Sequence, residues 1–480
     1  MTVDVAANGK EGQKTRVSRS VCVIGAGAAG LVALKELREE GHQVTAFEQN
    51  EDIGGVWKYD PDTDDDPLGI REDRKKVHSS MYASLRTNLP REIMSFAAYP
   101  FVPSGEPGRD DRRFCSHQEV QAYLRDYARH FDLHRHIRFG TQVLRVSRLP
   151  EKTNQYGSVQ QPLWEVVTRT ASSSENWACD TTEFDAVVVC NGHYSQPKLA
   201  TIEGIASWPG RQLHSHNYRT PGPFAGQTVV LIGAFASGED ISRELAEHCS
   251  EVYLSARSWK DEPRQTPPNL HRKLVVTRAY PDGSLEFADG SRVVADVIIH
   301  CTGYVYEFSF LESGLVSTED QRVHPVYEQV FHVGTAPTLS FIGLPFKVSP
   351  LPMFELTTRW VAQCLSGRAV LPSEAAMHKW IDGFYEGLKA GGVPVRYTHE
   401  MSRTGFDYLA RLCEWTGTPM FESWREDLFK DFSYRRHNYP ANYRDEWPED
   451  LELKRKVIWE DLRKEAEKLS LGGSEKSFGS

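Results

Sequence analysis

Short-range cysteine pairs are absent from this sequence of 480 residues. The eight cysteines lie far apart, at Cys22, Cys115, Cys179, Cys190, Cys249, Cys301, Cys364 and Cys413. The missing CxxC spacing excludes zinc-binding cysteine clusters and close redox pairs, and it favours a reducing compartment. Apolar runs long enough to cross a bilayer are also missing, as is the apolar core of a signal peptide. We therefore predict a cytoplasmic protein without a membrane partner.

An excess of positive charge is missing as well. Lys and Arg total 56 against 66 Asp and Glu, so the net charge is −10. This balance argues against nucleic acid as a partner. His214 and His216 have no third ligand at a plausible spacing, so we predict no metal site. No short-period repeat indicates a solenoid, and the sequence does not define an oligomeric state.

Two βαβ patterns, the building blocks of a parallel sheet, are present. In each, an apolar strand ends in glycine, a helical pattern follows, and a second strand comes next. The first pattern comprises residues 20–25, 31–41 and 43–48, and the second comprises 228–233, 236–249 and 251–258. Buried-strand patterns at 184–192 and 293–304 also run into glycine. The predicted fold class is α/β with two Rossmann-like dinucleotide-binding domains.

Other segments have weaker patterns. The chain looks helical from about residue 351, with the clearest segments at 352–367, 373–390 and 449–469. Ser116 and Glu119 have the spacing of a capping box ahead of a helix. The composition of residues 60–67 and 151–162 predicts surface loops.

The first glycine turn contains Gly25, Gly27 and Gly30 in the motif GAGAAG. A turn between a strand and a helix lets the backbone approach a pyrophosphate, and Ala28 and Ala29 belong to the same predicted contact. Glu48 ends the second strand, where a carboxylate accepts bonds from ribose hydroxyls and repels a 2′-phosphate. This site therefore favours FAD or NAD.

A further loop, GGVW, follows the first unit. We assign Gly55, Val56 and Trp57 to the flavin side of the same site, with Trp57 as a flat apolar surface. Gly192 ends a buried strand and is assigned to the same cofactor cleft.

The second glycine turn, GAFASG, keeps Gly233 and Gly238 but has Phe235 at the middle position. A bulky residue there predicts a looser pyrophosphate fit or a different ligand path. Its second strand ends in Ser255 and is followed by Arg257 and Lys260, which suit a 2′-phosphate and favour NADPH. The remaining predicted contacts of the second turn and of the strand that ends near it are Ala236, Ser237, Thr302 and Gly303.

Three motifs resemble those of the flavin-containing monooxygenases. The segment WPGRQLHSHNY (208–218) matches that family's fingerprint, with Gly210, His214 and Tyr218 in place and Trp208 for the usual Phe. HCTGY (300–304) and SLRTNLPREIMSF (84–96) resemble two further family segments. The resemblance runs from about residue 20 to residue 440. The stretches at 66–92, 232–245 and 343–356 look most like the plant branch that S-oxygenates methylthioalkyl glucosinolates and related sulfides.

This resemblance implies a reaction in which NADPH reduces FAD, O2 forms a flavin hydroperoxide, and one oxygen passes to a small sulfide or amine. A sulfide is the leading candidate. The resemblance places Asn88 beside the flavin as the catalytic hydrogen-bond donor. His214 and Tyr218 of the fingerprint are predicted cofactor contacts, and we assign His214 and His216 to domain packing or the approach of NADPH.

The two turns and the resemblance together predict a domain plan. A larger, discontinuous FAD domain comprises residues 19–212 and 322–469, and a smaller inserted NADPH domain comprises 213–321. Residues 1–18 and 470–480 are polar and are predicted to be mobile tails.

Several alternatives stay open at this point. The enzyme could oxygenate nitrogen, or it could be of the auxin-forming type of the same plant superfamily. A disulfide reductase would need the missing cysteine pair. A Baeyer–Villiger oxygenase would continue its fingerprint with Trp rather than with Arg219. Phe235 and Trp208 also leave open a nucleotide-binding sensor without catalysis.

Overall fold

The computed structural model describes residues 16–150, 164–170, 178–259 and 266–475. The predicted loop at 151–162 and Lys260 lie outside the described residues. So do residues 1–15 of the predicted N-terminal tail and residues 476–480 of the predicted C-terminal tail. Helix α8, defined below, continues to Glu475, so that residues 470–475 of the predicted C-terminal tail are helical.

The described residues form 18 strands and eight α-helices. The strands are β1 (Ser20–Ile24), β2 (Gln43–Phe47), β3 (Ile137–Arg138), β4 (Thr141–Arg148), β5 (Trp164–Thr170), β6 (Ala178–Phe184), β7 (Ala186–Val189), β8 (Arg211–His214), β9 (Thr228–Ile232), β10 (Glu251–Ser255), β11 (Leu270–Lys273), β12 (Val276–Ala279), β13 (Ser284–Phe287), β14 (Arg292–Val294), β15 (Val297–His300), β16 (Val326–Tyr327), β17 (Phe331–His332) and β18 (Leu339–Phe341). The helices are α1 (Ala28–Glu40), α2 (His117–His130), α3 (Ala236–Ala246), α4 (Pro350–Ser366), α5 (Glu374–Ala390), α6 (Gly405–Thr416), α7 (Trp424–Asn438) and α8 (Glu449–Glu475).

The first sheet has the strand order β16-β17-β18-β7-β1-β2-β3. The strands from β18 to β3 run parallel, whereas β16 and β17 pair antiparallel. Strand β1 is central, with Val21 opposite Val44 of β2 and Ala186 of β7. The glycine turn that follows β1 therefore lies in the middle of the carboxyl edge of this sheet, where ligands of open α/β sheets bind.

The second sheet has the order β11-β10-β9-β15-β8, and all its strands are parallel. Its central strand, β9, carries the second glycine turn between the ends of β10 and β15. The two sheets confirm the predicted α/β class with two Rossmann-like units. Strand β8 (Arg211–His214) already belongs to the second sheet, and the division of the chain at residue 212 stays a prediction.

Each parallel sheet is covered by helices on one face and by a three-stranded antiparallel sheet on the other. Along β1, Val21 and Val23 pack on the side of α1, α2, α4 and α6, while Cys22 and Ile24 pack toward β4–β6 with the fully buried Trp164. Alternation with period two explains this division, because successive strand residues point to opposite faces. Burial on both faces fixes the register of β1 and hence the position of the turn that follows it.

The second sheet repeats this plan. Val229 and Leu231 of β9 pack with α3, and Val230 and Ile232 pack toward β12–β14. Full burial of each such side chain contributes about 1.5–3 kcal/mol.

Two local predictions differ from the structure. Residues 60–67 form a loop with five exposed residues, as predicted, but Asp64 and Asp66 are almost fully buried. Asp64 accepts hydrogen bonds from the N–H of Val77 at 2.7 Å and from Nε of Arg74 at 2.9 Å. Composition predicts exposure from charge alone and cannot register these distant partners.

The second difference concerns the predicted capping box, which the structure does not form. Ser116 is the N-cap of α2, but its side chain makes no capping bond. The carboxylate of Glu119 instead accepts bonds from the guanidinium of Arg109 and from the N–H of Asp110. A buried ion pair has displaced the local motif.

Candidate active site

The first glycine turn needs glycine for steric reasons. Gly25 has φ 98°, and a methyl group there would lie 2.7 Å from the carbonyl oxygen of Cys190. A methyl group on Gly30 would lie 1.9 Å from the carbonyl oxygen of Gly25. The helix therefore starts closer to the strands than any side chain would allow.

A second close contact brings the GGVW loop onto this turn. A methyl group on Gly27 would lie 3.3 Å from Cα of Gly55, and one on Gly55 would lie 2.9 Å from Cα of Gly27. Gly27 is the N-cap of α1, and no side chain caps the helix. Because Gly25, Gly27 and Ala29 are partly exposed, the free N–H groups of the first turn are open to an anion. This cradle fits a pyrophosphate.

Glu48 lies beside the same turn, as predicted from its place after β2. Its Oε2 accepts the N–H of Ala26 at 2.8 Å, and its Oε1 accepts the N–H and side-chain amide of Asn50 at 2.9 and 2.8 Å. A carboxylate offers about four acceptor positions. One position is left for a ribose hydroxyl, so that the geometry suits a nucleotide without a 2′-phosphate.

The two outer glycines of the second turn have the same steric role as Gly25 and Gly30 in the first. Gly233 has φ 105°, and a methyl group there would lie 2.4 Å from the carbonyl oxygen of Cys301. A methyl group on Gly238 would lie 1.9 Å from the carbonyl oxygen of Gly233, the same value as in the first turn. Helix α3 likewise has no side-chain cap. Both turns therefore present an open helix N-terminus to a ligand.

The strands that end beside the two turns are also equivalent. Gly192 follows β7 with φ 71°, and Gly303 follows β15 with φ 81°. Both are exposed, as expected of loops at the mouth of a cleft. The hydroxyl of Thr302 donates to the carbonyl of Lys198, so that this side chain serves the protein rather than a ligand.

Phe235 occupies the middle position of the second turn without strain. It is the N-cap of α3 with φ −108° and ψ −159°, an extended conformation open to any residue. Its side chain is 54% exposed and is not packed into the hydrophobic core at the N-terminus of α3. The bulky residue is therefore compatible with an open turn.

The two predicted contacts of a 2′-phosphate differ in their accessibility. Ser255 is 1% exposed, and its hydroxyl donates to the carbonyl of Leu274 at 2.9 Å. The structure thus does not bring Ser255 into the cleft. Arg257 is exposed, and its Nη1 donates to the hydroxyl of Tyr397 at 3.1 Å.

The fingerprint residues pack between elements and do not line the cleft. His214 is fully buried, its Nε2 lies 2.9 Å from the carbonyl oxygen of Gly303, and its Nδ1 accepts the N–H of His216 at 3.1 Å. Tyr218 is also fully buried and donates to Glu244 at 2.6 Å. The predicted cofactor contacts of His214 and Tyr218 are thus not supported, since their polar atoms are already bonded. His214 thus supports the loop at Gly303, and Tyr218 supports helix α3.

Gly210, the glycine of the fingerprint, is also required for packing and not for ligand contact. A methyl group on Gly210 would lie 2.2 Å from the ring of Trp208. The indole N–H of Trp208 donates to the carbonyl of Gly283 at 3.0 Å. Trp208 therefore fits as well as the usual Phe, and it gains a hydrogen bond.

Asn88 is half-buried in the long segment that connects the Gly55–Trp57 turn to α2. Its side-chain amide makes no hydrogen bond within the described residues. The neighbouring chain is held firmly, since Thr87 donates its N–H to Cys115 at 2.8 Å. Helix α2 in turn contacts the Gly55–Trp57 turn, because Gln121 lies against Gly54. Asn88 is thus a free donor on a fixed backbone.

The buried histidines near the second turn are neutral. Burial lowers the pKa of His214 to about 3 and that of His300 to about 4. Within the described residues, no group of three His, Cys, Asp or Glu side chains is placed to hold a metal ion. In the same part of the chain, no helix has both the length and the apolar character of a bilayer span.

Sequence reasoning missed the residues that other parts of the chain bring to the second turn. Lys347 and Arg436 approach the ring of Phe235, and Tyr397 bonds Arg257. It also missed Arg219, whose guanidinium donates to five backbone carbonyls. No local pattern marks any of them, because most of their partners are distant in sequence.

Comparison with known proteins identifies the family. The family model of flavin-binding monooxygenase-like proteins matches residues 18–260 and 274–418. The chain is 46% identical over 449 residues to flavin-containing monooxygenase FMO GS-OX-like 2 of Arabidopsis thaliana, covering 90% of this chain and 92% of that protein. FMO GS-OX5 of the same plant is 45% identical, covering 91% and 94%.

A solved structure agrees over almost the whole chain. The S-allyl-L-cysteine S-oxygenase from Allium sativum superposes with a TM-score of 0.86 at 42% identity, covering 95% of this chain and 100% of that one. The predicted enzyme class and its cofactors FAD and NADPH are confirmed by the family match. The chain is a flavin-dependent monooxygenase and belongs to the flavin-binding monooxygenase-like family.

Proposed function

We propose that this enzyme transfers one oxygen atom of O2 to the sulfur of a small thioether. The thioether, O2, NADPH and a proton then give a sulfoxide, water and NADP+. The observation that carries this proposal is the full-length similarity to a protein described as an S-allyl-L-cysteine S-oxygenase. The GS-OX relatives support the same class of reaction.

We assign FAD to the first turn. The N–H groups at the start of α1 would hold its pyrophosphate, with the backbone of Ala28 and Ala29 in contact. The last acceptor position of Glu48 would receive a ribose hydroxyl. Gly55, Val56 and Trp57 would border the flavin, since Gly55 lies directly on Gly27.

We assign NADPH to the second turn. The start of α3, with Ala236 and Ser237, would hold its pyrophosphate. Arg257 would contact its 2′-phosphate, because it is exposed beyond the end of β10. Gly192 and Gly303 would line the space between the two cofactors.

The protein itself needs no strong base for this chemistry. The bound flavin supplies the activation of O2, and a soft sulfur attacks an electrophilic oxygen without help. Asn88 is proposed to donate a hydrogen bond beside the flavin ring, which its unbonded amide allows.

The test is a substrate panel with the purified, FAD-containing enzyme. Methyl thioethers, S-alkyl cysteines, tertiary amines and an aromatic 2-oxo acid are supplied with NADPH and isotopically labelled O2, and the products are identified by mass spectrometry. One labelled oxygen on the thioethers, with slower or no reaction of the amines, supports the proposal. Faster reaction of the amines favours N-oxygenation, and decarboxylation of a 2-oxo acid favours the auxin-forming alternative. NADPH oxidation that no substrate stimulates favours the sensor. The cytoplasmic location stays a prediction.

A further inference from the structure

Two cations from later segments of the chain lie close to the ring of Phe235. Nζ of Lys347 lies 4.9 Å from the centroid of its ring, and the guanidinium carbon of Arg436 lies 5.1 Å from it. Lys347 lies between β18 and α4, and Arg436 lies on α7. Residues that follow the first sheet therefore reach over the turn of the second sheet.

A second aromatic residue joins the same group. The hydroxyl of Tyr397 accepts a bond from Arg257 at 3.1 Å, and Nζ of Lys347 lies 6.0 Å from its ring. Partial burial opposes ionisation of Tyr397, but bonds from Arg396 and Arg257 outweigh it and lower the pKa of the phenol. The local potential is thus positive.

These cations are not balanced by the protein. Within the described ranges, none of Arg257, Lys347, Arg396 and Arg436 forms an ion pair with a carboxylate. Several unpaired cations beside one open helix N-terminus favour a bound anion there, although Glu239 also lies in the first turn of α3 and Asp407 and Glu426 line the same cavity as Lys347. The open N-terminus of α3, beside Phe235, is where an anion would lie.

We propose that Phe235 acts as a platform that holds Lys347 and Arg436 over the pyrophosphate of NADPH. These two cations replace the close backbone approach that a middle glycine would permit. Tyr397 in turn orients Arg257 toward the 2′-phosphate. This inference rests on the proposed assignment of NADPH to the second turn, and it makes Phe235 a positioning residue rather than a defect.

The platform makes a counter-intuitive prediction for Phe235→Gly, which restores the glycine pattern. Dissociation constants of NADP+ and NAD+ are measured by calorimetry on the FAD-containing enzyme. Loss of one charged contact costs about tenfold in affinity. We expect Phe235→Gly, Lys347→Ala and Arg436→Ala each to weaken both nucleotides by about that factor, because both carry the pyrophosphate. Phe235→Trp keeps the ring and should bind like the wild type.

Arg257→Ala is expected to differ from the other variants, because it should affect only the nucleotide that carries a 2′-phosphate. Arg257→Ala should weaken NADP+ by about tenfold and leave NAD+ unchanged. Lys389→Ala, an exposed lysine on α5, is the matched control and should change neither constant. Flavin content and melting temperature show whether each variant has folded, and Phe235→Leu provides a second ring-free variant.

Equal or tighter binding by Phe235→Gly, or unchanged binding by both Lys347→Ala and Arg436→Ala, would overturn the platform. The proposed function fails separately, if the wild-type enzyme binds neither nucleotide. Higher salt should reduce the difference between the wild type and Lys347→Ala, since screening weakens the charge contact.

Discussion

Arg444 holds Asp240 of α3 through both of its terminal nitrogens, at 3.1 and 2.5 Å. The Nε of the same guanidinium donates to the carbonyl of Thr87 at 3.0 Å. Asn88 is the next residue in the chain. One side chain from the C-terminal region thus links the helix of the proposed NADPH site to the proposed catalytic donor.

Removing this link should destabilise the protein. Arg444 and Asp240 are 16% and 23% exposed at the side chain, so the contact is only partly screened. We expect Arg444→Ala to lower the free energy of unfolding by about 2 kcal/mol, because Asp240 loses its charged partner, although the hydroxyl of Tyr82 still donates to it at 3.2 Å. Urea unfolding measures this change. Arg292→Ala breaks a solvent-screened pair with Glu286 and should cost much less than Arg444→Ala. Equal costs for the two variants would contradict the role of Arg444.

Gly30→Ala should abolish flavin binding. The added methyl group overlaps the carbonyl of Gly25, so α1 must move away from the turn. Absorbance of the bound flavin per protein measures the loss. Gly383→Ala in α5 is the control, since its methyl group meets open space, and it should stabilise the helix by about 1 kcal/mol. Full flavin content in Gly30→Ala would show that the turn tolerates this displacement.

Asn88→Ala should retain FAD but uncouple NADPH oxidation from product. Loss of one donor predicts a fall of about tenfold or more in product formed per NADPH, with hydrogen peroxide released instead. Mass spectrometry of the product and a peroxide assay give the two quantities. Asn88→Asp keeps the shape but removes the N–H donor, so it should behave like Asn88→Ala. Normal coupling in both variants would exclude the assigned role.

Glu328 should make stability depend on pH. Burial raises its pKa to about 7, and the attraction of Arg411, 3.5 Å away, only partly offsets this. A raised pKa in the folded state means that stability is fully present below the unfolded pKa of about 4.3 and is lost as pH rises through 7. Glu328→Gln should therefore be more stable than the wild type at pH 8, by up to about 3 kcal/mol, and similar to it near pH 4. A constant difference between the two proteins across this range would refute the assignment.

The parts of the fold that the sequence predicts are those with local patterns. Strand β1 and helix α1 were placed within a few residues, because apolar periodicity and Gly41 at the helix end are local signals. The two glycine turns are predicted from the same local pattern, an apolar strand that ends in glycine before a helix. Their steric basis, such as the contact of Gly30 with Gly25, lies within one turn of chain.

The parts that could not be predicted depend on distant contacts. Ser255 looked like a phosphate ligand, yet its hydroxyl bonds Leu274 on a neighbouring segment. The cluster of Lys347, Tyr397 and Arg436 around Phe235 and Arg257 joins segments far apart in the chain, so no spacing rule detects it. Asp64 looked exposed because its partner Arg74 and its neighbour His216 become apparent only after folding.

The most direct test of the central claim is a crystal structure of the enzyme with FAD and NADP+. We expect the FAD pyrophosphate at the first-turn N–H groups of α1, and the NADP+ pyrophosphate at those of α3 beneath Lys347 and Arg436. A nucleotide bound elsewhere, or the ring of Phe235 turned into the second turn so that it covers the helix end, would contradict it.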